Sequence, residues 1–163
     1  AFRLRLTEAA EQGNRGAQYN LGELFFENGT TGKNEEAVRW YLRAAEQGHT
    51  RAQFKLGVCY ENGIGVHKDK KESFRRFRIA AEQGYWRAQY KIGVCHENGI
   101  GVVKDEREAF LWYSRAAKQG NSEAQRKLDG LRKRLCDGEE TGENDPRSRS
   151  MTQQHAKRSR HSL

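Results

Sequence analysis

The stretch ENGIGVHKD, Glu61–Asp69, decides how the chain reads. It holds two glycines one residue apart, a lysine and a helix-start signal. A phosphate-binding loop is built from such parts, with free backbone N–H groups at a helix N-terminus holding the anion. The same letters also make a turn between two helices. Gly63 and Gly65 then supply backbone angles that other residues avoid, and Ile64 and Val66 tuck apolar side chains under the turn.

The surroundings choose between these readings. ENGIGV recurs at Glu97, 36 residues on, and a degenerate ENGTTG begins at Glu27. AAEQG begins at Ala9, Ala44 and Ala80, and AAKQG at Ala116, in steps of 35, 36 and 36. AQYNLG, AQFKLG, AQYKIG and a decayed AQRKLD begin at Ala17, Ala52, Ala88 and Ala124. Self-similarity at such a period is the mark of a repeat array. Asp69 also stands where a phosphate would dock, and its charge would repel one. The first unit lacks the motif altogether. GIGV is therefore a turn.

Each unit reads as a helix pair. The first helix runs from about Arg51 to Asn62, with Ala52, Leu56, Cys59 and Tyr60 on one face. Gly57 is predicted to lie at a helix contact, and Gly63 stops the helix by taking a left-handed conformation. The second helix starts at Asp69. Asp69 with Glu72, and Asp105 with Glu108, have capping-box spacing, and Asn34 is the expected cap in the first unit. Phe74, Phe77 and Ala81 mark the buried face, and Gly84 ends the helix.

With these marks, AQFKLGVCYENGIGVHKDKKESFRRFRIAAEQG (Ala52–Gly84) resembles the Sel-one-like repeat (SLR). This α/α unit is related to the tetratricopeptide repeat. The next unit repeats the marks at Ala88, Ile92-Gly93, Gly99, Gly101-Val102, Asp105, Trp112-Tyr113, Ala116-Ala117 and Gly120. Departures are Arg76-Phe77 in place of Trp-Tyr, His96 in place of Tyr, and an extra residue in LGELFFENG. The resemblance implies an all-α fold, a right-handed α/α superhelical solenoid of helix-turn-helix repeats. It also implies a concave groove, lined by the first helices, that holds segments of partner proteins.

The expected organisation is a solenoid over residues 1–135 and a disordered basic and polar tail over 136–163. The solenoid comprises a partial repeat, three full repeats and a capping helix, AQRKLDGLRKRL. Phe2–Gly13 aligns with a second helix that has no first helix. Its unpaired face predicts an array that continues upstream, so that the chain is a piece of a longer protein. In the tail, AKRSRH has the composition of a nuclear-import or anion-binding patch.

Composition narrows the function. The net charge is +8, but acidic residues are mixed with basic ones throughout, which disfavours a dedicated nucleic-acid binder. No apolar run approaches the roughly 18 residues of a membrane span. Cys59, Cys95 and Cys136 are too scattered for a disulfide framework and imply a reducing compartment, the cytoplasm. Cys59 and Cys95 hold equivalent positions and read as small apolar fillers, since no CxxC or His spacing supports a metal. No Ser or Cys, His and carboxylate set suggests a triad. The expectation is a protein that is not an enzyme and uses no cofactor.

The binding candidates are aromatic and basic. Tyr19, Phe54 and Tyr90, with Val58 and Val94, make a second apolar stripe on the first helices. The stripe serves either as a groove floor or as packing between repeats. Arg51, Arg87, Glu61, Asn62, Glu97 and Asn98 border it. Tyr85-Trp86 stands at a turn that is polar in the other units, as an interface anchor or folded over its neighbour. Arg75, Arg76 and Arg78 cluster on one second helix, as a dock for an acidic segment or a solvated face. The leading expectation is an interaction scaffold or adaptor for a protein or peptide. A structural spacer is the alternative, ahead of an enzyme like the cysteine-rich relatives or a nucleic-acid binder.

Overall fold

The computed structural model describes residues 1–27 and 31–142. Among these residues there are eight helices and no strand. They are α1 (Phe2–Glu11), α2 (Arg15–Glu27), α3 (Thr31–Glu46), α4 (Thr50–Asn62), α5 (Lys70–Glu82), α6 (Trp86–Asn98), α7 (Glu106–Lys118) and α8 (Ser122–Gly142). Each helix packs on the next in the chain, most extensively within the pairs α2–α3, α4–α5 and α6–α7. This is an α/α solenoid. None of the described helices is long and apolar enough to cross a membrane.

Small residues set the spacing within each pair. Gly22, Gly57 and Gly93 are buried in the first helices. A Cβ on Gly57 would lie 2.5 Å from the Phe77 ring; on Gly22 and Gly93 it would lie 2.6 Å from the rings of Tyr41 and Tyr113. Hydrogen in place of a methyl therefore lets the second helix approach until its ring lies against the first helix backbone. Tyr41, Phe77 and Tyr113 are fully buried as a result.

The core runs along the array as four clusters of buried residues. Phe77, Ala80 and Ala81 of α5 join Ala88 and Ile92 of α6 and Trp112 of α7 in one cluster. Val38, Tyr41, Leu56 and Cys59 form the cluster before it, with Leu21 and Trp40 in a further one at the N-terminal end, and Tyr113, Leu128 and Leu131 belong to the cluster after it. Each unit thus buries its apolar face on its neighbours. At the first helix, Phe2 and Leu4 remain 78% and 66% exposed.

The GIGV turn is a helix stop followed by a close approach. Gly63 has φ +69° and the Ile64 N–H donates to the Cys59 carbonyl at 2.9 Å. Gly65 has φ +66°, and a Cβ there would run into the Asn34 carbonyl of the preceding unit. Gly101 stands against the Lys70 carbonyl in the same way. Both glycines are needed, one for conformation and one also for contact between repeats.

Two local expectations need correction. Asn34 is not a cap, because α3 already begins at Thr31 and Asn34 lies in its first turn. The capping box is only half formed. Asp69 Oδ1 accepts from the N–H groups of Lys71 (2.9 Å) and Glu72 (3.1 Å). The Asp69 N–H instead donates to the Tyr60 carbonyl at 3.0 Å, which closes the turn and leaves Glu72 free for other partners. Asp105 does the same, with its N–H on His96 at 2.8 Å. At the far end α8 runs on to Gly142, past the expected boundary at 135, through a stretch without proline. The rest of the tail, AKRSRH included, and residues 28–30 of ENGTTG lie outside the described residues.

Candidate partner-binding cleft

Tyr19, Phe54 and Tyr90 sit at equivalent positions on α2, α4 and α6, and all three are half-buried. Each turns one side to the ring of its own second helix. The centroid distances are 6.0 Å for Tyr19–Tyr41, 5.4 Å for Phe54–Phe77 and 5.7 Å for Tyr90–Tyr113. Tyr19 also stacks on His49 at 4.6 Å, and Phe54 meets Tyr85 edge-on at 5.2 Å. Packing covers part of each ring, and each stays partly exposed.

Six of the candidate residues converge. Tyr19, Arg51, Phe54, Tyr85, Trp86 and Arg87, with Glu23 and Lys55, line a cleft of about 290 Å³. A neighbouring cavity of about 440 Å³ shares Tyr19 and Arg51 and adds Arg15, Asn20 and His49 among its walls. Both lie at the N-terminal ends of the first helices. The 36-residue step from α4 to α6 places Arg51 and Arg87 at the same point of successive units.

The cleft is electropositive. Lys55 Nζ is neutralised by Glu23 at 3.0 Å. Arg51 and Arg87 are exposed and have no carboxylate partner among the described residues. The Arg87 guanidinium lies over the Trp86 ring, 5.2 Å from its centroid. Burial, then the charges of Arg15 and Arg51, hold the His49 imidazole below its ordinary range. Burial and then the Glu23 carboxylate push the Tyr19 phenol up to about 12, so it stays a neutral donor.

The other candidates lie elsewhere. The side-chain amides of Asn62 and Asn98 donate to the Val58 and Val94 carbonyls at 3.0 Å, at the C-terminal ends of their helices. Tyr90 is not among the cleft walls. On α5, Arg75 and Arg76 share one carboxylate, with Glu72 Oε1 accepting from Arg75 Nη2 and Arg76 Nε at 2.7 Å each. The Arg75 hydrogen bond, with help from Arg76, holds the Glu72 carboxyl below its usual range. Arg78 Nε donates to Glu82 at 2.9 Å. Cys59 and Cys95 are buried, and burial pushes both thiols up to about 11.

Two polar ladders connect the units. Lys55, Lys91 and Lys127 reach back to Glu23 (3.0 Å), Glu61 (2.7 Å) and Glu97 (3.1 Å) of the preceding unit. The hydroxyls of Tyr41 and Tyr113 donate to Glu23 and Glu97. Buried Gln18, Gln53 and Gln89 donate to the carbonyls of Ala10, Ala45 and Ala81 at 3.0, 3.0 and 3.3 Å. Their own oxygens accept from Gln47 (2.8 Å), Arg76 (3.2 Å) and Gln119 (2.9 Å). Arg76 thus does in the middle unit what a glutamine does in the others. Reasoning within one unit misses these ladders; the 36-residue recurrence of Lys55, Lys91 and Lys127 was the available signal.

The Sel1 repeat family matches residues 16–49, 50–85 and 86–121. The chain belongs to the Sel1 repeat family. Solved relatives agree. A Sel1 repeat protein from Oxalobacter formigenes is 41% identical, with a TM-score of 0.71, covering 78% of this chain and 96% of that one. The protective antigen c5321 of uropathogenic Escherichia coli, which displays an SLR fold, is 42% identical with a TM-score of 0.70, over 73% of this chain and 26% of that one. Cysteine rich protein B of Helicobacter pylori, at 22% identity and TM-score 0.58, shares the fold. Among curated proteins, DAP3-binding cell death enhancer 1 of Rattus norvegicus is 35% identical over 68 residues, and that of Mus musculus 34%. The match spans 42% of this chain and 13% of those relatives. Sel1 solenoids are in general protein-interaction scaffolds, and this chain has their fold.

Proposed function

We propose that this chain is a non-catalytic interaction scaffold that works as an adaptor module of a larger protein. The observation that carries the reading is the convergence of Tyr19, Phe54, Tyr85 and Trp86 with unpaired Arg51 and Arg87 in one cleft. Aromatic residues and arginine are the residue types that dominate binding energy at protein interfaces. The rigid solenoid presents them preformed, which lowers the ordering cost of binding. A protein partner also fits the name of the curated rodent relatives, which records binding to DAP3. A larger host fits the small share of those relatives that the match spans. The three free cysteines, two of them buried, fit a reducing compartment such as the cytoplasm.

The test is affinity capture from lysate with the wild-type chain and the double variant Phe54→Ala, Trp86→Ala. A scaffold retains proteins that the variant loses while its melting curve stays cooperative. Equal retention by both proteins would place binding outside this cleft, and none by either would favour a spacer.

A further inference from the structure

We propose that the cleft takes an acidic, extended segment of a partner protein; this rests on the interaction reading above. Arg51 and Arg87 bind its carboxylates, and Phe54, Tyr85 and Trp86 take the apolar side chains between them.

The charge inventory points to this occupant. The cleft walls hold three cations, Arg51, Lys55 and Arg87, against one carboxylate, Glu23. Lys55 and Glu23 cancel at 3.0 Å. Lys91, further along the same stripe, is cancelled by Glu61 at 2.7 Å. The two guanidiniums are left without a counter-ion. A guanidinium binds a carboxylate through two parallel hydrogen bonds, with more directional strength than an ammonium.

Position supports the same choice. Arg51 and Phe54 are three residues apart on α4, so they share a face. Arg87 lies over Trp86, which holds it at the cleft rim with its edge still available to an acceptor. The apolar patch of Phe54 and Tyr85 lies in the same cleft as both arginines. An extended peptide meets this pattern with alternating acidic and apolar side chains. The strip also has an end, because the equivalent position in α8 is Glu123. A nucleic acid fits less well. Its affinity grows with the number of phosphates neutralised, and here two free cations stand beside a fixed carboxylate, Glu23.

The experiment measures fluorescence anisotropy of four labelled probes with the full chain. They are a peptide of alternating Glu and Leu, the same peptide with Gln for Glu, the same with Lys for Glu, and oligothymidylate. The chains compared are wild type, Arg51→Glu with Arg87→Glu, Phe54→Ala, and the charge-matched control Arg107→Glu with Arg132→Glu. The proposal predicts selective binding of the Glu peptide, weakened by added salt. Loss of both cleft arginines weakens it by roughly a hundredfold, about tenfold for each. The control pair leaves it within a few-fold. Equal binding of the Gln and Glu peptides, lost in Phe54→Ala, would overturn the acidic occupant and leave the groove reading standing. Preference for oligothymidylate would overturn it in favour of nucleic acid. Binding of no probe would overturn this proposal and count against the groove itself. Unchanged melting of the arginine variant separates lost binding from lost fold.

Discussion

Lys91 Nζ lies 2.7 Å from Glu61 Oε2 of the preceding unit and 5.6 Å from the centroid of the Phe77 ring. In the flanking units the ring residue is Tyr41 or Tyr113, and its hydroxyl donates to the ladder carboxylate directly. The middle unit has the ladder without that donor. Phe77→Tyr is therefore expected to stabilise the chain by about 0.5–1.5 kcal/mol, the usual net worth of an added hydrogen bond. Urea denaturation checks it. A loss of stability would show that Lys91 cannot yield its place over the ring.

Gly57 and Phe77 form a matched pair. Gly57→Ala is expected to cost about 1–3 kcal/mol, because the new methyl meets the ring and overpacks the helix contact. Gly57→Leu is worse for the same reason. In the background Phe77→Leu the alanine costs much less, since the flat face of the ring is gone. Additive effects in this double-mutant cycle would contradict direct contact.

Glu97 gives a pH dependence of known sign. Burial pushes its carboxyl up, but Tyr113, Lys127 and Arg134 donate to it and together hold it below the ordinary 4.5. A depressed folded pKa means that the unfolded chain binds more protons in the window between the two values. The stabilisation from Glu97 is thus present above about pH 4.5 and is lost as pH falls through the folded pKa. At neutral pH, Glu97→Gln is expected to cost about 1–3 kcal/mol, as charged hydrogen bonds do. The gap from wild type narrows steadily below pH 4.5. A gap constant from pH 7 to 3 would mean that Glu97 acts by shape alone.

The thiols sort by position. Cys136 is exposed, while Cys59 and Cys95 are buried with thiols pushed up to about 11. Reaction with an aromatic disulfide reagent near pH 8 is expected to modify one thiol quickly and the other two only on unfolding. Fast reaction of all three would place Cys59 and Cys95 outside the core.

How far the sequence went depended on distance along the chain. Interactions inside one unit were legible. Gly57 at the helix contact, Gly63 as a stop and Asp69 as a cap follow from local spacing, and the period multiplies each signal. Asn34 failed because the first unit departs from the ENGIGV pattern, and α3 begins ahead of it, at Thr31. The reciprocal half of the capping box failed because the Asp69 N–H had another acceptor, the Tyr60 carbonyl near the C-terminal end of α4, across the turn it closes. Contacts between units were harder. Lys55 and Glu23 are 32 residues apart, and nothing within one helix pair joins them. The cleft was visible only as separate candidates. That Tyr85 folds against Phe54 while Arg87 stays free is a matter of side-chain geometry, which spacing does not carry. Arg75, Arg76 and Arg78 show the same limit, because their sharing of Glu72 and Glu82 decides how much charge they present.

The most direct test of the account is photo-crosslinking with a benzophenone amino acid at one position of the full chain, in lysate. At Asn20, on the wall of the larger cavity, it is expected to trap partner protein, and the trapping falls away in Arg51→Glu with Arg87→Glu. At Leu111, exposed on α7, it is expected to trap little. Stronger crosslinking from Leu111 than from Asn20 would contradict the claim that partners bind in the cleft.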